Sequence, residues 1–427
     1  MPMERREFLN LAALAGGALL TPRLVFARAD GRRARLVLVI LRGALDGLAA
    51  VPPHGDRDYA GLRREFALRA PGEPGGALRL DGFYGLHPSL TFLEQCYAAR
   101  ELTVLHALAS PYRERSHFDG QDVLENGSPR PHALQTGWLN RALGAAPSPG
   151  RREAGVALGQ NVPLVMRGPA AVSSWSASRL NALDDDTLAR ITDLYAGDAL
   201  LGKRLADALA ANAIASEEGG DNAMTSGAAN LRGPTAEGAP PPARAAQAAQ
   251  AAQANNARYA EVVRAAAGFL RQEDGPRVAV FDTIGWDTHA NEGGAQGQLA
   301  GRLAALDAGL AALKQELGAV WRDTAVLLIT EFGRTAAVNG TRGTDHGTAT
   351  VAFLVGGAVA GGRVIADWPG LSARALYQGR DLAPTLDLRA VLKGVLGEHL
   401  AVPARALEQV VFPDSSAVKP LPGLLRT

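Results

Sequence analysis

The stretch from Val278 to Gly347 constrains this chain more than any other. It opens on VAVFDTIGWDTHANEGG, runs through a leucine-striped segment, and closes on TAVLLITEFGRT and GTRGTDHGT. Val278 to Phe281 and Ala325 to Ile329 have the length and branching of buried strands. Between them Leu299, Leu303, Leu306, Leu310, Leu313 and Leu317 recur at four- and three-residue spacing, which makes one apolar face of a helix. Strand, helix and strand in that order predict a crossover unit of a parallel sheet. Polar residues crowd just past each strand: Asp287 and His289 after the first, Glu331 and Arg334 after the second. Ligands of open α/β sheets bind beyond the carboxyl ends of the strands, so a site is expected there.

With 427 residues the chain exceeds the usual size of a single core, and one large or two modest domains are expected. The formal charge of +1 argues against a nucleic-acid partner held by a basic face. One cysteine, Cys96, excludes an intramolecular disulfide and a cysteine-based zinc cluster. Its apolar helical context reads as a buried small side chain. A metal in this chain must therefore be held by His, Asp and Glu.

The N-terminus has a charged start, an apolar stretch from Leu9 to Leu20 and an A-x-A pattern at Ala27-Arg28-Ala29. That is the make-up of a targeting peptide over 1–29, and Arg5-Arg6 followed by Phe8-Leu9 is similar to a twin-arginine signal. The expectation is a periplasmic or otherwise exported protein that meets the twin-arginine translocase. No later apolar run reaches the roughly 20 residues that span a bilayer, so no membrane span is expected after signal removal.

Further along, Arg35 to Leu41, Leu102 to Leu108 and Ala349 to Val355 read as buried strands, and Asp387 to Leu400 as a closing helix. Asp46, just past the first strand, fits both a metal ligand and simple Asp-Gly turn chemistry. Ser116-x-x-Asp119 has the pattern of a capped helix start. A serine there also sits where amide donors favour an anion, and His117 beside it fits a structural or a catalytic role. From about 129 to 216 strand signals weaken to a trace near Val162 to Met166, and the segment is expected to cap the sheet. Residues 217–256 are rich in Gly, Ala and Pro and read as a flexible low-complexity segment. The remainder of 30–427 reads as one domain.

Strand ends thus carry Asp46, Ser116, Asp287 with His289, and Glu331, with Asp345-His346 shortly downstream. Carboxylates and imidazoles without cysteine suit a divalent ion: zinc, manganese or magnesium. The same residues also fit turn caps and polar loop surface.

LRGALDGL, RSHFDGQDVLENG, GWDTHANEG, TEFGRT, TDHGT and GRDLAPTLDLRAVL, in that order, resemble the family known as domain of unknown function 1501. That family is similar to the alkaline phosphatase and sulfatase superfamily. The resemblance implies a three-layer α/β/α sandwich with a mostly parallel sheet, a cap or insertion region, and one or two metal ions at the strand ends. Carried over by position, Asp46, Asp287, His289 and His346 fall on metal ligands, and Ser116 falls on the nucleophile. Glu331-Phe332-Gly333 stands where the superfamily has Asp-His-Gly, which weakens a second ion's ligand set; Asp345 is a candidate replacement. Arg334, and with it Arg115, would hold the non-bridging oxygens of the substrate. The function implied is an exported, metal-dependent hydrolase of small or polymeric phosphate or sulfate esters. The alternative is a non-catalytic envelope binding or assembly protein of the same fold.

Overall fold

In the chain's central strand, β1 (Arg35–Arg42), nearly every side chain is buried, and alternate residues enter two different cores. Val37, Val39 and Leu41 face one way; Leu36, Leu38 and Ile40 face the other. A run apolar at every position is what a strand covered on both faces requires. The computed structural model describes residues 34–147, 154–176, scattered positions between 190 and 209, and 259–426. The expected targeting peptide and the 217–256 segment lie outside the described residues.

The remaining strands are β2 (Leu78–Arg79), β3 (Gly85–Leu86), β4 (Leu102–Ala109), β5 (Gly155–Leu158), β6 (Val172–Trp175), β7 (Val278–Ile284), β8 (Thr324–Ile329), β9 (Thr350–Val355), β10 (Arg363–Ile365) and β11 (Leu386–Asp387). The helices used below are α1 (Gly47–Ala50), α2 (Tyr59–Arg63), α3 (Thr91–Ala98), α4 (His117–Asn126), α5 (Trp138–Ala145), α6 (Gln298–Leu317) and α7 (Leu388–Leu400). The main sheet runs β10-β4-β9-β8-β1-β7-β5-β6, with β11 on the far end of β4; β2 and β3 form a separate pair. β9 is antiparallel to both neighbours, and the other pairings of the main sheet are parallel.

The leucine stripe of α6 lies in the core that holds Val37 and Val39. Burying each leucine contributes about 1.5–3 kcal/mol. Leu388, Val391, Leu392, Val395 and Leu396 of α7 fill the opposite core, beside Leu36 and Leu38. The expected three layers, helices on both faces of a mostly parallel sheet, are therefore what the chain forms. Cys96 is buried in α3, and burial pushes its thiol up to about 12. No helix among the described residues is long and apolar enough to cross a membrane.

One local expectation is met with a strand inserted, and one is corrected. β7, α6 and β8 follow one another as read, but β1 lies between the two strands and pairs with both. Sequence order alone did not expose that insertion. Second, the segment expected to cap the sheet supplies β5 and β6, which extend it beyond β7. The apolar trace at Val162 to Met166 is a single 3-10 turn over Leu164–Met166, set after Pro163, whose ring removes a ladder donor. β5 and β6 have four residues each, too few for a clear periodic signal.

Candidate metal centre

Three loops and one helix start meet beyond the carboxyl ends of β1, β7 and β8. The β1 loop approaches through Gly43, at φ +119°, where an added Cβ would stand 2.6 Å from the Asp287 amide nitrogen. Only glycine accepts both that dihedral and that contact. The loops after β8 and before β9 are joined as a short ribbon. Thr335 donates its N–H to Asp345, Gly347 donates to Gly333, and Arg334 bridges His346 antiparallel. The ribbon sets His346 beside the β7 loop that carries Asp287 and His289.

His117, Asp287 and His346 each bring a ligand atom within 4.8 Å of the others. His289 joins them: its Nε2 is 3.0 Å from Asp287 Oδ1 and 2.9 Å from His346 Nε2. His346 Nε2 lies 3.3 Å from the same oxygen, and His117 Nε2 lies 3.5 Å from Asp287 Oδ2. Behind each ring, Nδ1 meets an oxygen. Glu331 Oε1 stands 2.8 Å from His117 Nδ1, Asp345 Oδ1 stands 3.2 Å from His289 Nδ1, and the Arg115 carbonyl stands 2.9 Å from His346 Nδ1. A ring that donates from Nδ1 presents a lone pair at Nε2. Three such lone pairs converge on one carboxylate.

Two imidazole lone pairs 2.9 Å apart repel unless a cation lies between them. His117 Nε2 is buried without a hydrogen-bond partner. Nitrogens bound to one zinc-like ion at about 2.0–2.1 Å stand roughly 3 Å apart, so the residues present fit a divalent ion. The centre faces solvent through half-exposed Asp287 and His289.

The electrostatics agree. Burial raises the Asp287 carboxyl, but the hydrogen bond and charge of Arg334, 2.6 Å away at Nη1, outweigh it and hold the group below its ordinary value. The hydrogen bond that His117 donates to Glu331 is the largest influence on the His117 ring and raises it. Burial lowers His346, helped by the charge of His117. Asp345 is held low chiefly by the Asn339 amide.

The expected residues divide into three groups. Asp287, His289 and His346 come together in one cluster. Asp345 and Glu331 stand behind histidines instead of facing the ion. Glu331 is fully buried; its Oε1 accepts from Gly43 N, His117 and Gln121, and its Oε2 from Thr330. Those four bonds leave it no direction toward an ion. Phe332, its neighbour, stacks on His117 at 5.0 Å and 28°.

Asp46 and Arg334 do not take the places expected, while Ser116 stands at the helix start as read. Asp46 caps α1 through Ala49 N and pairs with the buried guanidinium of Arg63, which also faces Glu292 at 3.5 Å. A cation supplied by α2 thus neutralises the carboxylate expected to bind metal. Ser116 holds the N-cap position of α4 without a side-chain cap bond, and Asp119 turns to Tyr112 and His132. Arg334 is buried on Asp287 and Thr344, so it holds a ligand and has no free face for substrate. Arg115 is similarly engaged with Asp381 and Gln378.

His117 is the member of the cluster that sequence reasoning left undecided. Its signal is its place, the first helical residue after a strand end; the capping pattern around it obscured that.

Fold and site together define a mixed, mostly parallel α/β protein with a His/Asp cluster at its strand ends. A family model described as Protein of unknown function (DUF1501) matches residues 105–411, and the chain belongs to that family. None of the curated proteins matches it. Among solved structures the chain is similar to Ps i-CgsB in complex with k-i-k-neocarrahexaose, at 11% identity and a TM-score of 0.33, covering 78% of this chain and 68% of that one. It is also similar to the C-terminal periplasmic domain of EcEptC from Escherichia coli in complex with Zn, at 8% identity and a TM-score of 0.32, covering 76% and 72%.

Proposed function

We propose that this protein is an exported hydrolase of phosphate or sulfate esters that works with a single divalent ion held by His117, Asp287, His289 and His346. The observation that carries the reading is the convergence of three Nε2 atoms on Asp287, each ring backed by an oxygen at Nδ1. An imidazole-rich donor set favours zinc or manganese over magnesium. Asp46 and Glu331, which a second ion would need, are already bound to Arg63 and His117. That commitment favours one ion over two.

When bound, the ion would lower the energy of a serine alkoxide and of the developing charge on the ester. Ser116, adjacent to His117 and at the start of α4, supplies the oxygen. Its Oγ forms a bond to phosphorus or sulfur and releases its proton to water, while the bond to the alcohol oxygen breaks. The alcohol leaves with a proton taken from water. A water then hydrolyses the Ser116 ester, so one ester and one water become one alcohol and one phosphate or sulfate. Amide donors at the N-terminus of α4 favour the anion.

The test is metal content of the full chain folded in its own cytoplasm, followed by turnover of nitrophenyl phosphate and nitrophenyl sulfate. About one ion per chain, lost in His117→Ala, with turnover lost in folded Ser116→Ala, is the expected result. Protein that binds no zinc or manganese overturns the reading. A second reading, a non-catalytic binding protein that keeps the ion, is favoured by the engagement of Arg334 and Arg115 away from any substrate oxygen. A bound ion without turnover of either ester would select it.

A further inference from the structure

Beside the centre, on the outer side of α4, lies an open cleft of about 540 Å³. That volume falls in the range of small-molecule sites, about 300–1,000 Å³. Phe118, Gln121 and Glu125 line it from α4 at three- and four-residue spacing, which puts them on one helix face. The cleft and the centre share a wall: Gln121 Nε2 donates to Glu331 Oε1 at 3.1 Å, the same oxygen that orients His117.

Phe118 follows His117 directly and is 88% exposed, the most exposed large apolar side chain among the described residues. A single exposed apolar residue is ordinary on a protein surface. This one stands in a cleft of mixed polar and apolar lining, next to His117 of the cluster. The rest of the lining carries two arginines against three carboxylates, two amides, one imidazole and the half-buried Val162, Pro163 and Leu164. A second anionic group on the ligand would find no net positive charge there. Arg42 is engaged with Glu125 and Asp282. Arg167 gives one bond to the Val162 carbonyl and has no carboxylate partner among the described residues, and Asn161 is exposed beside it. The exposed Asn161 amide and the remaining Arg167 donors beside one bare aromatic face match a neutral ring that has hydroxyls at its edge and C–H bonds on its face.

We infer that this cleft binds the alcohol part of the substrate, and that this part is a carbohydrate ring stacked on Phe118. The inference rests on the ester-hydrolase reading for the chemistry, and on the cleft alone for the sugar. Phe118 is a specificity-determining residue in this assignment, and Arg167 and Asn161 hydrogen-bond the ring hydroxyls.

The experiment separates the two readings. The full chain, stripped of ions with EDTA, is examined by saturation-transfer NMR against a panel of neutral methyl glycosides and disaccharides. Transfer to ring protons is expected, with affinity roughly tenfold weaker in Phe118→Ala. It should be unchanged in Ile284→Ala, which removes an exposed apolar side chain that is not part of the cleft. No transfer to any sugar, or equal transfer in Phe118→Ala, overturns the inference. With the ion restored, glucose 6-phosphate and glucose 6-sulfate should be hydrolysed with a KM that rises in Phe118→Ala while kcat holds. Sugar binding without turnover would sink the hydrolase reading and keep the cleft; turnover of nitrophenyl esters without sugar binding would do the reverse.

Discussion

Each imidazole of the centre owes its direction to an oxygen behind it, and Glu331 is the most fully constrained of those oxygen donors. Burial alone would raise its carboxyl, yet hydrogen bonds from His117, Gln121 and Thr330 hold it below its ordinary value. Glu331→Gln replaces one accepting oxygen with an NH₂ donor among groups that already donate. Ion affinity should fall by about 10–100-fold, as for other lost partners of ligating histidines, with the same number of ions bound at saturation. Competition against a graded series of chelators measures this; unchanged affinity would remove Glu331 from the positioning of His117. Glu292 makes a second residue-scale case. Burial, with the nearby Asp46 charge, pushes its carboxyl up to about 8. A raised carboxyl stabilises the fold fully below its unfolded value and loses that contribution as pH rises through about 8. Glu292→Gln should therefore gain melting temperature relative to the parent between pH 6 and 9, and a constant difference across that range would refute it.

Elements carried the parts of the fold that were legible in the sequence. β1, β4, β8, β9 and α7 announce themselves because burial on both faces, or along one stripe, demands apolar runs or periods. These strands and the closing helix were read within one residue of their ends, whereas β7, read as ending at Phe281, runs on to Ile284. β5 and β6 were missed because four residues carry no period. Site residues were legible as chemistry and less so as roles. Asp46 looks like a ligand until α2 delivers Arg63 to it from 17 positions away, a contact no local pattern encodes. The ribbon of Gly333 to Thr335 against Asp345 to Gly347 makes an element-scale prediction. A Cβ at Gly347 would lie 2.4 Å from the Arg334 carbonyl carbon and its oxygen. Gly347→Ala must therefore part the ribbon, displacing Arg334 and His346 together. Loss of ion binding with little change in helix content by circular dichroism is expected; retained stoichiometry would show that the ribbon does not set the centre.

For the whole molecule, two buried histidines far from the centre govern acid stability. His106 donates its Nε2–H to the Val51 carbonyl at 3.0 Å, and His399 donates to the Arg35 carbonyl, at the start of β1, at 2.7 Å. Burial pushes both down to about 4. A lowered histidine contributes stability above its unfolded value, near 6.5, and loses it as pH falls toward the folded one. The unfolded chain then binds up to two more protons from these sites alone. Denaturant midpoints should drop most steeply between about pH 6.5 and 4, and His399→Gln should flatten that slope; an unaltered slope would remove His399 from the account.

Arg63 has one more consequence. The charge it places between Asp46 and Glu292 is covalently part of the chain and cannot be drawn off by a chelator. Stripping the neighbouring ion therefore leaves this half of the strand rim electrically compensated. The apoprotein should keep its shape, and metal exchange at the histidines should be reversible without a cycle of unfolding.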